Sequence, residues 1–301
     1  MKKLFALLLI ATLGVSASAQ RYNLGFGLRA GATNFLGDIG SGDEARGFVF
    51  NMELADTRWA VGPFIRYRFH PLFAISGGVT YARLQGMDVN SENRARRGRN
   101  LNFINDIFDI SARYEYYPQI LSVADVGFRG RYRTDYQTYF FAGAGAVIHS
   151  PKGIHPTTGE KVKLRPLMTE GKKYSPVAFQ MPLGGGFFFT HNRQHRFGFE
   201  MQWSWTFTDY LDDISTVYVE HDPGSLADVM ANQHDPSFAN VPDANNYEAG
   251  SPRGDPTDRD NYMLMTVSYS YLIRTRNGFY RRNYSWMYGR RRRFGGTKAK
   301  F

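Results

Sequence analysis

The residues able to do chemistry fall into four groups. His149-Ser150 places a base beside a hydroxyl, the pairing from which ester and amide hydrolysis is built. Such a pair also needs an orienting group for its base, and no carboxylate stands where it would evidently serve His149. The second group is the mixed-charge set Arg29, Arg66, Arg68, Asp109, Arg113, Glu115 and Glu200, each on the polar side of an alternating segment. A proton or ion path would use such groups. Mutual pairing that plugs a narrow interior is the favoured reading, because a buried charge requires compensation.

The third group is acidic. Residues 209–259 hold Asp209, Asp212, Asp213, Glu220, Asp222, Asp228, Asp235, Asp243, Glu248, Asp255 and Asp258. Clustered oxygens can hold calcium, and T-D-Y-L-D-D at Thr208–Asp213 is the tightest group. A solvated loop explains the acids as well, so no metal is expected, with Asp209, Asp212 and Asp213 the candidate ligands if one binds. The fourth group is the basic, aromatic segment 274–301, which carries no acid at all. Arg281, Arg282, Arg290, Arg291, Arg292 and Arg293 are interleaved there with Tyr284, Trp286 and Tyr288. Arg, Tyr and Trp are the types enriched at binding hot spots, so this tail is expected to dock an acidic protein surface or lipid headgroups.

No G-x-S-x-G, His/Asp cluster at ligand spacing or phosphate-cradling glycine loop is present. His70, His191 and His195 fall at expected turns. No catalytic residue and no cofactor is therefore expected.

These groups are positioned by segments with a two-residue period. In Arg196–Phe207 the odd positions are Phe197, Phe199, Met201, Trp203, Trp205 and Phe207, whereas Arg196, Gly198, Glu200, Gln202, Ser204 and Thr206 alternate with them. A strand sends these sets to opposite faces. The same pattern recurs over Tyr22–Ala30, Trp59–Phe69, Leu72–Leu84, Phe108–Tyr117, Tyr136–His149, Val177–Phe189 and Tyr262–Tyr271. Each segment is near the ~10 residues of a tilted membrane-crossing strand. Backbone groups in lipid must all be paired, so such strands close into a barrel. Pro63 cannot donate to a ladder, which predicts a bulge in the second strand. The connections alternate long (33–57, 85–100, 150–176, 209–259) and short (70–71, 191–194), with 118–135 a partial exception. The expectation is an all-β, eight-stranded antiparallel transmembrane β-barrel with long outer loops.

Composition agrees. Aromatics make up 16% of the 301 residues, glycine is abundant and cysteine is absent, which excludes disulfides and thiol chemistry. The net charge of +10 would raise the question of nucleic acid in a cytosolic chain. Residues 1–19 argue otherwise: Lys2 and Lys3, the apolar run Leu4–Val15, and Ala17-Ser18-Ala19 have the layout of a cleaved secretory signal. The expected organisation is a signal peptide (1–19), an outer-membrane barrel (20–276) and a basic aromatic periplasmic tail (277–301). Both termini are then periplasmic, the long loops extracellular, and nucleic acid is excluded as a partner.

The chain also resembles the PorG-like family of small outer-membrane barrels of the type IX secretion machinery. The resemblance rests on N-F-L-G-D at Asn34–Asp38, F-F-A-G-A-G at Phe140–Gly145, K-L-R-P-L at Lys163–Leu167, the run Tyr174–Phe187, and T-D-Y-L-D-D-I-S at Thr208–Ser215. It implies a non-enzymatic anchor that ties a periplasmic ring, made of a lipoprotein and its partner, to the outer membrane. Outer-membrane lipid and lipopolysaccharide would surround it. The arginine tail is not among the motifs of the resemblance. Two other functions stay open: a barrel enzyme modifying lipid A at His149-Ser150, and a passive barrel or narrow pore.

Overall fold

The computed structural model describes residues 24–39, 54–70, 72–91, 93–118, 123–126, 134–191, 194–234 and 247–273. The expected signal peptide and basic tail lie outside these residues. The strands are β1 (Leu24–Leu36), β2 (Arg58–His70), β3 (Phe73–Met87), β4 (Asn102–Tyr116), β5 (Val123–Val126), β6 (Thr134–Ile148), β7 (Pro151–Ile154), β8 (Lys161–Lys163), β9 (Val177–His191), β10 (His195–Thr206) and β11 (Asn261–Ile273). Two one-turn or two-turn helices, Arg94–Arg99 and Leu226–Ala231, sit in the connections.

Antiparallel pairing runs β6-β9-β10-β11-β1-β2-β3-β4, and β4 pairs back onto β6. The sheet is thus a closed barrel of eight strands with no free edge at the level of that seam. Its outer face is apolar: Leu28, Phe179 and Val267 are 60%, 72% and 62% exposed. A water-soluble protein does not show a continuous band of this kind. Aromatic girdles flank the band. Trp59, Tyr81 and Phe108 touch in series at the long-loop end, with centroids 5.1 and 5.2 Å apart. Tyr136–Phe189 and Phe197–Tyr269, each at 5.2 Å, mark the other end. Two girdles around an apolar band are the build of a membrane-spanning barrel. Leu24 pairs with Ile273, so β1 begins and β11 ends on the side of the two short turns.

All eight expected strands are present, but several are longer than the alternation indicated. β1 continues through Asn34-Phe35-Leu36, β3 through Gln85-Gly86-Met87, and β4 starts at Asn102 rather than Phe108. The reason is an inversion of the pattern where the sheet leaves the membrane. Past the upper girdle the inward side chains become apolar: Phe35, Leu84, Phe103 and Ile107 form a buried core with Leu211, Ile214, Tyr262 and Leu264. The barrel wall therefore rises out of the lipid and is stoppered by a folded cap. The expected bulge at Pro63 is absent. β2 keeps one register with β3 on either side of Gly62-Pro63, and the irregularity falls at Arg68–His70 instead. Pro63 faces outward, and the wall absorbs its missing donor without a slip. The 118–135 connection contains β5, which pairs with the start of β6 as a small ledge at the short-turn end.

Candidate functional site

Inside the barrel, alternation brings the charges to one layer. Glu200 on β10 accepts from Arg113 at 2.5 Å, from Arg29 at 3.2 Å and from the Tyr139 hydroxyl at 2.7 Å, with Arg66 at 3.9 Å. Arg66 also pairs with Glu115 at 2.8 Å, and the Tyr117 hydroxyl donates to the same carboxylate. Five of the seven expected charges are thus joined by ion pairs. Asp109 is served by neutral donors: Gln180 at 2.6 Å, Tyr262 at 3.0 Å and Gln202 at 3.1 Å. Arg68 reaches the Gln137 side chain at 2.6 Å and lies over the Tyr117 ring at 4.2 Å.

Register explains how long side chains fit inside so narrow a wall. Arg29 stands opposite Gly62, Arg66 opposite Gly25, Arg113 opposite Gly143 and Glu200 opposite Gly186. A methyl group at Gly143 would sit 2.2 Å from the Ala112 carbonyl oxygen, so the close approach needs glycine. Aromatic rings complete the filling: Phe64 and Tyr139 lie 5.0 and 4.8 Å from the guanidiniums of Arg29 and Arg66, and Phe141 lies 4.8 Å from that of Arg113. Glu115 and Asp109 have no solvent exposure. The bore at this level is therefore solid, as expected where eight strands leave room only for side chains.

Several members of this layer were not singled out from the sequence. Arg196 is buried, donates to Thr190 at 3.3 Å and lies 4.3 Å from the Phe188 ring. Its even position in β10 carried the signal. Tyr117, Tyr139, Gln180 and Tyr262 had no such signal beyond inward parity, because an uncharged polar residue in a strand is equally suited to a wet surface.

The cap gathers the remaining candidates. His149 follows β6, which β7 continues against β4 in the same register after a two-residue break. The imidazole is buried and stacks on Tyr174 (6.1 Å, 4°), which stacks on Tyr210 (4.7 Å, 8°). Burial pushes the His149 pKa down to about 4, with Arg165 adding to the effect. No side chain among the described residues hydrogen-bonds either ring nitrogen, the Ser175 backbone acting on the imidazole instead, and the Ser150 amide is engaged by Asn105 at 2.9 Å. His149 and Ser150 therefore do not form a nucleophile–base pair.

The acidic candidates diverge. Asp213 adopts φ 74° and accepts from Thr169 and Tyr174, each at 2.5 Å, while Arg253 donates to its backbone carbonyl at 2.7 Å. Asp212 accepts from the Ile214 amide at 2.9 Å. Burial pushes the Asp209 carboxyl up to about 7, and holds Asp212 and Asp260 well above the usual carboxylate range. No three acidic or histidine side chains among the described residues are arranged to hold a metal ion. Arg281, Arg282, Tyr284, Trp286, Tyr288 and Arg290–Arg293 lie outside the described residues.

Comparison with known proteins adds little beyond this geometry. The family described as "Domain of unknown function (DUF6089)" matches residues 2–141. No curated protein matches. Among solved structures, the attachment invasion locus protein Ail of Yersinia pestis aligns at 9% identity with a TM-score of 0.37, covering 84% of this chain and 100% of that one. A second Ail structure, in complex with the heparin analogue sucrose octasulfate, aligns at 10% identity and a TM-score of 0.34, covering 83% and 99%. Likeness at that level carries no argument about function.

Proposed function

We propose that this chain is a non-enzymatic outer-membrane component of the type IX protein secretion system, anchoring the periplasmic lipoprotein-containing ring to the outer membrane. The observation that carries the reading is the solid bore. A barrel closed by the Glu200 layer and stoppered by a core around Leu211 and Tyr262 is suited to hold a position in the membrane rather than to pass a solute. The motifs shared with the PorG-like barrels supply the machinery. In this reading the cap faces the cell exterior and both termini face the periplasm, where the basic tail meets the ring.

Catalysis at His149-Ser150 has no support, since the imidazole packs against Tyr174 with neither a hydroxyl nor a carboxylate hydrogen-bonded to it. The test is co-purification from detergent-solubilised outer membranes. Ring proteins recovered with the full chain agree with an anchor. Conductance steps in a planar bilayer, with no ring recovered, would replace the anchor by a pore.

A further inference from the structure

On the outside of the wall, one step beyond the upper aromatic girdle, the charge pattern breaks a rule of sheet pairing. Tyr81 faces Phe108 across β3 and β4, and the next outward pair is Arg83 opposite Asp106. Arg83 donates to Asp106 at 2.7 Å, and Lys152 of β7 reaches the other oxygen of the same carboxylate at 3.3 Å. Directly across from Lys152 stands Lys163 of β8. Like charges opposite one another destabilise a sheet. Two cations thus share one carboxylate and a third stands beside them, with Arg83 and Lys152 each about a third exposed and Lys163 open to its surroundings. Pairing within the protein leaves a surplus of positive charge.

The surplus sits where lipid headgroups begin. Trp59, Tyr81 and Phe108 form the girdle immediately below it, and girdle aromatics lie at headgroup level. We propose that Arg83, Lys152 and Lys163 form a receptor for the phosphate of an outer-leaflet lipid headgroup. The phosphate oxygens complete the coordination that Asp106 supplies only in part, and the lipid's chains run down the apolar wall beside Phe108. Guanidinium and ammonium groups suit this ligand, one as a planar fork and the other as a point charge. The inference rests on the outward orientation of the cap given by the proposed function, and says nothing about the ring.

The test uses the full chain in nonionic detergent, titrated with diphosphoryl lipid A and read by native mass spectrometry. Lys152→Gln and Lys163→Gln should each weaken retention roughly fivefold, the worth of one basic residue at an anionic surface. Asp106→Asn removes the competing carboxylate and should tighten retention, an outcome that a folding defect does not produce. Lys172→Gln with Lys173→Gln, exposed lysines of the following loop, should change retention much less. Equal losses from both lysine pairs, or weaker retention by Asp106→Asn, would overturn the site. Inorganic phosphate held as tightly as the lipid would overturn the lipid as its ligand. Ring recovery is unaffected by any of these outcomes, so failure here is distinguishable from failure of the anchoring role.

Discussion

Glu200→Gln is the substitution that most sharply tests whether the bore is solid. The change keeps the shape of the side chain and an acceptor for the Tyr139 hydroxyl, but deletes the charge that three arginines share at 2.5, 3.2 and 3.9 Å. At an effective dielectric near 20, an attraction at ~4 Å is worth about 4 kcal/mol, so three such terms would approach ~12 kcal/mol unrelaxed. Asp109 and Glu115 remain nearby and the guanidiniums re-aim, which brings the expected loss to about 3–5 kcal/mol, the usual cost of breaking a buried ion pair. The assay is urea unfolding of protein refolded into vesicles, followed by tryptophan fluorescence. Asp106→Asn, at a partly exposed pair, is the internal control and should cost under about 1 kcal/mol. Adding Arg113→Met to Glu200→Gln should recover part of the loss, because the two residues are directly coupled. A Glu200→Gln protein within about 1 kcal/mol of the parent would mean that water screens these charges, and the solid-bore argument would fail.

The cap supplies two further predictions. Asp213→Ala removes a residue suited to φ 74° and strands the Thr169 and Tyr174 hydroxyls; the cost should be about 2–4 kcal/mol, seen as faster hydrogen exchange over 208–216 with the membrane-embedded strands unchanged. The second concerns pH, where the groups act in opposite directions. Asp38 and Asp209, raised by burial to about 6 and about 7 from 3.8, hold protons more tightly when folded, so their contribution is lost as pH rises across that window. His149, lowered to about 4 from 6.5, binds its proton less tightly when folded, so its contribution is lost as pH falls from about 6.5 toward 4. Between about pH 6 and 4 the two carboxylates outweigh the one imidazole, so cap protection should keep rising on acidification, and His149→Phe, which keeps the ring contact with Tyr174, should make that rise steeper. Identical pH profiles for the two proteins would contradict the assignment.

The membrane-embedded part of the fold was legible because lipid imposes one strict rule, apolar out and polar in, that β10 follows from Phe197 to Thr206 without exception. The charges of the Glu200 layer were legible for the same reason, since a charge on an alternating strand has only the interior to occupy. Their opposing glycines were not, because the pairing of Arg113 with Gly143 depends on a register that one strand does not encode. The cap was harder still. Above the upper girdle the rule reverses, so Phe103 and Ile107, which lie ahead of the alternation that begins at Phe108, turn apolar side chains inward. His149 was attractive as a base only because it adjoins Ser150 in sequence. In space its neighbour is Tyr174, brought from 25 residues away by the start of β9. The acidic run at Thr208–Ser215 was likewise ambiguous, since spacing does not reveal that Asp213 is committed to Thr169 and Tyr174 while Asp212 turns back on Ile214.

The anchoring role is tested most directly by comparing the full chain with a chain lacking residues 277–301, both tagged on the cap and extracted in mild detergent, with the recovered periplasmic ring proteins quantified. The account predicts that the full chain carries the ring and that the shortened chain, still folded by its heat-modifiable mobility, loses most of it. Ring proteins absent from both samples would contradict the account outright, and equal recovery by both would take the docking surface away from the tail.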